Sequence, residues 1–361
     1  MKKQFAYRYT INKQLLLGCL LLLMICVTAC EKKSSFKIVK NTLQNVAPIS
    51  IEGLQQRTYI SEMNFEVYLE DTPKYSSKLM SYTSDSLKIY ALVTIPKSQK
   101  PKNGFPILLF GHGFHPAPKK YGVSFKTGED WRPGDYYRGF PEAFAENGYV
   151  VITPDYRGHN ISEGFKFTQT SYLASAYYAI DMLNLINALS GLENCNTENI
   201  FYLGHSMGGD VALKVLLATN KIKAASIWSG VSASIMEQAL FYGKLADRNN
   251  EKTTNQSING YLVKLKDAVS NLKFKYPLAS GDVINHINEI NTPIIMHHAR
   301  WDASVPYQWS EALAIKLFEH DKEFALYAYE SKNHLLKDEN RKRAIQRDLD
   351  FFKKETNNKN K

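Results

Sequence analysis

The stretch Gly204-His205-Ser206-Met207-Gly208-Gly209 decides the fold that this sequence predicts. It follows the apolar run Asn199-Ile200-Phe201-Tyr202-Leu203 and precedes the amphipathic segment Asp210-Val211-Ala212-Leu213-Lys214-Val215-Leu216-Leu217, which predicts a strand, a turn and a helix. Gly-x-Ser-x-Gly in that setting is typical of a sharp turn that lifts a reactive serine clear of a sheet, because only small neighbours fit beside the strained serine. An ordinary glycine-rich turn shares the pattern, so partner residues must be found elsewhere.

Short apolar segments that alternate with helical ones surround this turn. Such a pattern is typical of a parallel sheet covered by helices on both faces, so we predict an α/β fold. Before it, Asn64-Phe65-Glu66-Val67-Tyr68-Leu69 and, after a turn, Leu87-Lys88-Ile89-Tyr90-Ala91-Leu92-Val93-Thr94-Ile95-Pro96 alternate with period two and predict antiparallel strands at the N-terminal edge. The predicted parallel strands are residues 106–110, 149–153, 200–203, 224–228, 293–297 and 324–329, and the predicted helices are 141–147, 171–189, 208–219, 307–319 and 338–352.

About sixty residues between Ser229-Gly230 and Asn291-Thr292-Pro293 interrupt this alternation. A structureless loop of that length is rare. Their helical, mixed-polarity composition instead predicts a helical lid at about residues 231–290 that sets substrate access. A surface excursion unrelated to substrate is the alternative. The predicted catalytic domain spans residues 57–355.

The first thirty residues are typical of an export signal. A basic start leads into an apolar run at residues 15–27, which ends in Val27-Thr28-Ala29-Cys30. This ending resembles the lipobox of bacterial lipoproteins, which implies a signal peptide at 1–29, an acylated Cys30 and a membrane-anchored protein of the bacterial cell envelope. The polar residues 30–56 are predicted to be a tether. An ordinary secretory signal and an uncleaved anchor are the alternatives.

Composition limits the partners of the chain. It has 361 residues, of which 44% are hydrophobic, enough for a sizeable core. The formal net charge is +10, and removing the four cations of the leader (Lys2, Lys3, Arg8 and Lys13) leaves 10 − 4 = +6. Because no arginine-rich run with interleaved aromatic residues is present, we expect no nucleic-acid partner. Cys195 is the only cysteine beyond Cys30, which excludes an internal disulfide framework.

A serine nucleophile needs a base, and the base needs an orienting acid. Asp302 comes just beyond the strand predicted at 293–297, and His334 just beyond the strand predicted at 324–329. Catalytic groups of parallel sheets collect at the carboxyl ends of strands, and the order nucleophile, acid, base suits this architecture. We therefore predict Ser206, Asp302 and His334 as a catalytic triad. A surface acid or helix cap is the alternative for Asp302, and a loop histidine for His334.

The other histidines are less suited to act as the base. His297 and His298 lie on or beside the strand before Asp302 and are predicted to be wall or hydrogen-bonding residues. His205 lies inside the turn and is expected to point away from the Ser206 proton. No His-Glu-x-x-His or paired-cysteine spacing suggests a catalytic metal, and no cofactor is expected.

The oxyanion of an acyl-transfer reaction needs two hydrogen-bond donors. Met207 begins the helix after Ser206, and Gly111-His112-Gly113-Phe114 follows the first parallel strand, so we predict the backbone N–H groups of Met207 and Phe114 as the donors. The long loop at 114–139 is aromatic, and Trp131, Tyr136 and Tyr137 are predicted to wall the acyl or alcohol pocket. Core or rim packing is the alternative for these rings.

Five separated motifs together resemble the α/β-hydrolase superfamily, and are most similar to the catalytic domain of the prolyl oligopeptidase family and related esterases. They are Gly111-His112-Gly113, Asp155-Tyr156-Arg157-Gly158-His159-Asn160-Ile161-Ser162-Glu163-Gly164, the turn at Ser206, Trp301-Asp302-Ala303-Ser304-Val305-Pro306 and Asn333-His334. The resemblance implies a serine hydrolase that acts on a small ester or a short peptide. Peptidases of that family carry a β-propeller before the catalytic domain and, in exopeptidases, an acidic pair that captures the free amine. Neither is identified here, so we expect an esterase, with a peptidase as the alternative. A non-catalytic binding protein is less expected because the triad is intact.

Overall fold

A nine-stranded sheet organises the protein. The computed structural model describes residues 47–114, 137, 139–164, 173–249, 256–272 and 275–357, without the side chains of 245–249, 256–261 and 264. All of them belong to one compact unit, Leu43–Lys361. The strands are β1 (Asn64–Asp71), β2 (Tyr75–Ser84), β3 (Leu87–Pro96), β4 (Phe105–Gly111), β5 (Val150–Asp155), β6 (Cys195–His205), β7 (Ile222–Trp228), β8 (Ile294–Ala299) and β9 (Phe324–Tyr329). The helices are α1 (Ile51–Gln56), α2 (Gly139–Glu146), α3 (Ala174–Ala188), α4 (Met207–Ala218), α5 (Ile235–Asn249), α6 (Gln256–Ser270), α7 (Tyr307–Glu319) and α8 (Asp338–Asn357).

The strand order is β1-β2-β3-β5-β4-β6-β7-β8-β9. The first three strands pair antiparallel and β3 pairs antiparallel with β5, while the remaining pairs are parallel. Every residue of β5 and β8 is buried, as a parallel sheet between two helix layers requires. The predicted α/β fold with antiparallel strands at the N-terminal edge is confirmed.

Strand β2 is an element that the sequence did not predict. It lies between β1 and β3 and pairs with both. Ser77 and Ser81 on one face of this strand and Ser84 on the other are buried, although serine is usually exposed. The Ser81 hydroxyl lies 2.5 Å from a Glu66 carboxylate oxygen, and the Ser84 hydroxyl 2.7 Å from one of Asp181. Because buried positions lie on both faces and serines occupy several of them, the strand lacks the apolar–polar alternation by which it could have been predicted.

Strand β1 is one edge of the sheet and pairs irregularly. Its register with β2 shifts between Phe65 and Val67 and again between Tyr68 and Glu70. Phe65 and Tyr68 are exposed, with ring centroids 4.9 Å apart. The ammonium group of Lys78 lies over both rings, at 6.0 Å and 5.0 Å.

The folded domain begins earlier than predicted. Ala47, Ile49, Ile51 and Leu54 are each no more than 6% exposed, and α1, which carries the last two, packs against α4. The Ser50 hydroxyl caps α1 by accepting the N–H of Gly53 at 3.0 Å. The prediction that the tether extends to residue 56 is therefore wrong, because these apolar side chains are buried in the core.

The segment predicted as a lid is helical. It contains α5, α6 and three short 3₁₀ turns at Leu278–Gly281, Val283–Asn285 and Ile287–Glu289. Asp282 accepts the N–H of Ile235 at the start of α5, at 2.7 Å. The Tyr242 ring of α5 lies 6.1 Å from the ring of Trp309 on α7, in the T-shaped arrangement that favours aromatic contact. The role of this segment in substrate access stays a prediction.

Across the described part of the chain, no helix combines the length and apolar character that crossing a membrane requires. The predicted signal peptide at 1–29 and the lipidation site at Cys30 lie outside the described residues.

Candidate active site

Ser206 occupies a strained turn between β6 and α4. Its backbone has φ 57° and ψ −122°, which is costly for a residue with a Cβ atom. A Cβ at Gly204 would clash with the carbonyl oxygen of Gly208, and a Cβ at Gly208 with that of Gly111. Glycine is therefore required on both sides of the turn, as the sequence pattern predicted.

The backbone of this turn is held from three directions. The Ser206 N–H donates to the carbonyl of Trp228 at 3.0 Å, and the Ser206 carbonyl accepts the N–H groups of Gly209 and Val231, each at 2.9 Å. Met207 is the first residue of α4, where backbone N–H groups lack intrahelical partners and the helix dipole favours negative charge. An anion beside Ser206 would be stabilised there.

Asp302 follows β8 and contacts His334, which follows β9. Its Oδ2 atom lies 2.6 Å from His334 Nδ1, while Oδ1 accepts the N–H groups of Ser304 at 2.8 Å and Val305 at 3.2 Å. Burial alone would raise the pKa of Asp302, but hydrogen bonds from His298 and His334 and the charge of a protonated His334 hold it well below its usual range. The carboxylate therefore stays ionised and keeps the hydrogen of a neutral His334 on Nδ1.

The loop that carries His334 is tightly turned. Leu336 and Asp338 both have positive φ, and the Asn333 side chain accepts the N–H of Leu335 at 3.0 Å. The imidazole of His334 is 19% exposed. Among the described residues no hydrogen bond joins it to Ser206, a contact that is often long in free enzymes and tightens with substrate.

The loop after β4 passes directly against Ser206. A Cβ at Gly113 would lie 2.9 Å from the Cβ of Ser206, so a larger residue would push the loop away. The Nδ1–H of His112 donates to the Gly113 carbonyl at 2.8 Å. Because that carbonyl and the N–H of Phe114 belong to one planar peptide, this bond also orients the Phe114 N–H.

Tyr137 does not wall a pocket as predicted. It is 1% exposed, and its hydroxyl accepts the N–H of Gly113 at 2.9 Å and lies 2.9 Å from Nδ1 of His205. The core-packing alternative therefore holds for this ring, which supports the loop from behind. Trp131 and Tyr136 lie outside the described residues, and their role stays a prediction.

His298 makes contacts whose consequence the sequence did not reveal. It is fully buried, its Nδ1 lies 2.7 Å from the Ser310 hydroxyl, and its Nε2 donates to the carbonyl of Val305 at 3.0 Å. The same Nε2 lies 3.5 Å from Asp302 Oδ2. The predicted hydrogen-bonding residue therefore helps to hold the acid, and the i,i+4 spacing from strand to acid was the available signal.

A second histidine–aspartate pair lies deep in the protein. His297 Nε2 lies 2.9 Å from Asp348 Oδ1, and both side chains have zero exposure. Its Nδ1 lies 2.8 Å from the Tyr329 hydroxyl, and Asp348 also accepts the indole N–H of Trp228 at 2.8 Å. Asp348 sits in a strongly charged helix, which gave no signal of burial.

The sheet topology and the strained serine are those of an α/β-hydrolase, and the protein is a serine hydrolase. The profile of the prolyl oligopeptidase family matches residues 137–359, more than half of the chain. The chain belongs to the prolyl oligopeptidase family.

Individual relatives carry both peptidase and esterase names. "Uncharacterized peptidase YtmA" of Bacillus subtilis (strain 168) is 23% identical over 273 residues, 75% of this chain and 91% of that protein. An acetyl xylan esterase from Paenibacillus sp. R4 superposes with a TM-score of 0.57 at 14% identity, covering 86% of this chain and 96% of that one. Dipeptidyl peptidase 4 of Porphyromonas gingivalis superposes with the same TM-score at 17% identity, and the match covers 78% of this chain but spans about a third (36%) of that structure.

Proposed function

We propose that this protein hydrolyses carboxylic esters through an acyl-enzyme intermediate formed on Ser206. The observation that carries the proposal is the 2.6 Å contact between Asp302 and His334, at the sheet edge where Ser206 is held in its strained turn. An ionised acid, an oriented imidazole and a half-buried serine held in a strained turn are the parts that nucleophilic acyl transfer needs.

In the proposed reaction, Ser206 Oγ attacks the ester carbonyl while His334 Nε2 takes the hydroxyl proton. Asp302 accepts the Nδ1–H of His334 and stabilises the imidazolium, and the N–H groups of Met207 and Phe114 bind the oxyanion. The imidazolium then protonates the departing alcohol, which leaves an acyl ester on Ser206. Water attacks that ester by the same steps and releases the acid.

Cleavage of short peptides is the second candidate. It is favoured by the peptidase name of the Bacillus subtilis relative, 91% of which aligns with this chain. The ester proposal draws on the acetyl xylan esterase, because 96% of that chain superposes here whereas the dipeptidyl peptidase is matched over 36%. The two candidates share every group of the triad, so substrate comparison must separate them.

The test uses the full chain in detergent, with p-nitrophenyl acetate and butyrate assayed beside aminoacyl p-nitroanilides. Ser206→Ala should lower ester turnover by roughly 10⁶-fold. Ser229→Ala is the matched control, because Ser229 is a buried serine beside the turn with no assigned role, and it should keep turnover within about threefold. Faster turnover of the anilides, lost in Ser206→Ala, would replace the ester proposal with the peptidase one. Full activity of Ser206→Ala would overturn both.

We further propose that the protein is exported and anchored by acyl chains on Cys30. The support is the apolar run at 15–27 followed by Val27-Thr28-Ala29-Cys30. Two or more acyl chains give durable attachment, at about 0.8 kcal/mol per buried methylene. Intact-mass measurement after expression in a bacterium should show cleavage before Cys30 and added acyl mass. Cys30→Ser should abolish both, and an unmodified Cys30 in the native chain would contradict the anchor.

A further inference from the structure

Three loops must meet for the proposed reaction, and they come from distant parts of the sheet. The oxyanion loop follows β4, the serine turn follows β6, and the loop with His334 follows β9. Strands β6 and β9 are separated by β7 and β8, so they lie about 14 Å apart at ~4.8 Å per step. The His334 loop therefore has to reach back across the sheet edge and be fastened beside Ser206.

A chain of hydrogen bonds joins all three loops. The Gly113 N–H donates to the Tyr137 hydroxyl at 2.9 Å, and that hydroxyl lies 2.9 Å from His205 Nδ1. His205 Nε2 lies 3.1 Å from the carbonyl oxygen of His334. A carbonyl can only accept, so Nε2 carries the hydrogen, and neutral His205 then accepts the Tyr137 O–H at Nδ1. Every donor in the chain has an acceptor.

Burial makes this chain rigid. Tyr137 and His205 are each 1% exposed, and their rings meet edge to face with centroids 5.3 Å apart. Phe110 and Phe140 enclose the Tyr137 ring, and the His205 ring lies 4.6 Å from that of His334. Side chains packed in this way have lost their rotamer freedom, so they transmit a fixed position from one loop to the next.

We propose that Tyr137 and His205 are positioning residues that hold the oxyanion loop and the His334 loop in register with Ser206. They touch neither substrate nor reacting atoms. Tyr137 sets the position of Gly113, which lies against Ser206 and precedes the proposed donor Phe114. His205, adjacent to Ser206 in the chain, sets the position of the proposed base. The inference rests on the proposed triad.

The first variant is Tyr137→Phe, which keeps the ring and removes the hydroxyl. We expect kcat for p-nitrophenyl acetate to fall about 10- to 100-fold with KM within about twofold, because a misplaced oxyanion donor weakens the transition state more than the bound substrate. Inhibition by a trifluoromethyl ketone, which mimics the tetrahedral intermediate, should weaken by a similar factor. Tyr149→Phe is the matched control, since this buried tyrosine lies at the opposite end of β5 from the site, and it should change neither value.

A second pair of variants, both at His205, tests the hydrogen bond to Tyr137 and the hydrogen bond to His334 separately. His205→Asn keeps an amide near the position of Nδ1 and loses the contact with His334, whereas His205→Gln keeps a donor near Nε2 and loses the acceptor for Tyr137. If the residues act as a unit, Tyr137→Phe combined with His205→Gln should be little worse than either alone. Additive losses of kcat would overturn the proposal that Tyr137 and His205 act together.

Folding defects are excluded by counting active sites with a fluorophosphonate and expressing kcat per labelled site. A merely structural role would lower the labelled fraction and the Tm while kcat per site stayed within twofold of the Tyr149→Phe control, and that result would overturn the proposal. If Tyr137→Phe yields no folded protein, the His205 variants decide by the same criterion. Ser206→Ala is measured alongside. If it keeps activity, the triad assignment fails. If Ser206→Ala is inactive and Tyr137→Phe is fully active, only the positioning role of Tyr137 and His205 is rejected.

Discussion

Strand β8 contributes to two histidine–aspartate pairs that differ in access. His334–Asp302 lies at the carboxyl end of the strand, with the imidazole 19% exposed, and His297–Asp348 lies on the other side with no exposure at all. Consecutive strand residues face opposite sides of a sheet, so His297 and His298 are directed to different pairs. The contact distances, 2.6 Å and 2.9 Å, hardly distinguish them. The two pairs are instead distinguished by whether the histidine can reach a nucleophile.

The occupied ring nitrogens explain the difference. Both ring nitrogens of His297 are hydrogen-bonded, one to Tyr329 and one to Asp348, so His297 cannot exchange a proton with a substrate. His334 uses Nδ1 for Asp302, and in the described part of the chain its Nε2 makes no hydrogen bond. A geometric search for such pairs would return both, and solvent access separates the proposed catalytic pair from the structural one.

Exchanging each of the two histidines for glutamine should give the largest difference between the pairs. His334→Gln should lower kcat by roughly 10⁶-fold, because the loss of a triad histidine removes the base for the serine. His297→Gln should keep kcat per folded molecule within severalfold, because His297 faces away from Ser206. Ester turnover and active-site labelling measure both. Loss of catalysis in folded His297→Gln would show that His297 and Asp348, the sealed pair, also serve the reaction.

Removing the acid of the sealed pair should cost stability instead of catalysis. Asp348→Ala leaves the buried donors of His297 and Ser226 without this acceptor and leaves the Trp228 indole only the Ser226 hydroxyl, so the free energy of unfolding should fall by about 3–5 kcal/mol. Asp350→Ala, two residues along the same helix and exposed, should change it by less than about 0.5 kcal/mol. Urea unfolding measures both, and equal effects would refute a stabilising role of the sealed pair.

A third histidine sharpens the comparison because it has no acid partner among its described contacts. Burial lowers the pKa of His159 to about 4, from 6.5. Between these values the unfolded chain binds more protons, so the free energy of unfolding should fall by about 3 kcal/mol as pH drops from 6.5 to 4. His159→Gln should remove that part of the pH dependence, whereas the exposed His320→Gln should keep it. An unchanged slope in His159→Gln would contradict a buried neutral imidazole.

Backbone strain gives the smallest expected difference. At Ser206, glycine relieves the strain of the positive φ. The free energy of unfolding of Ser206→Gly should therefore exceed that of Ser206→Ala by about 1 kcal/mol. At Ser226, in the regular strand β7 beside the sealed pair, alanine should be the more stable replacement. Thermal unfolding of the four variants tests the reversal in sign, and the same order at both positions would mean that the turn is unstrained.

The sequence predicted what depends on regular patterning. Each predicted parallel strand overlaps one in the structure, and Asp302 and His334 do meet, because apolar periodicity and strand order place them at one sheet edge. Strand β2 was missed because buried serines at positions such as Ser77 interrupt the pattern. The sequence predicts a tether over residues 47–56 because a few apolar side chains among polar ones do not show that they are buried in the core.

The site was predicted less completely where function depends on contacts far apart in the chain. The sequence predicts Tyr137 on a pocket wall because an aromatic residue in a loop gives no sign of its hydrogen-bond partners. Its contacts to Gly113 and His205 arise only once β4 and β6 lie side by side. The pair of His297 with Asp348 likewise joins residues 51 positions apart.

The irregular edge strand β1 limits how an extended polypeptide could approach this molecule. Two register shifts within eight residues break the even row of N–H and C=O groups that an incoming strand would need as a template. Lys78 adds a positive charge over the exposed rings of Phe65 and Tyr68. Strand addition at β1 is therefore disfavoured, both for a second copy of the chain and for a long unfolded peptide.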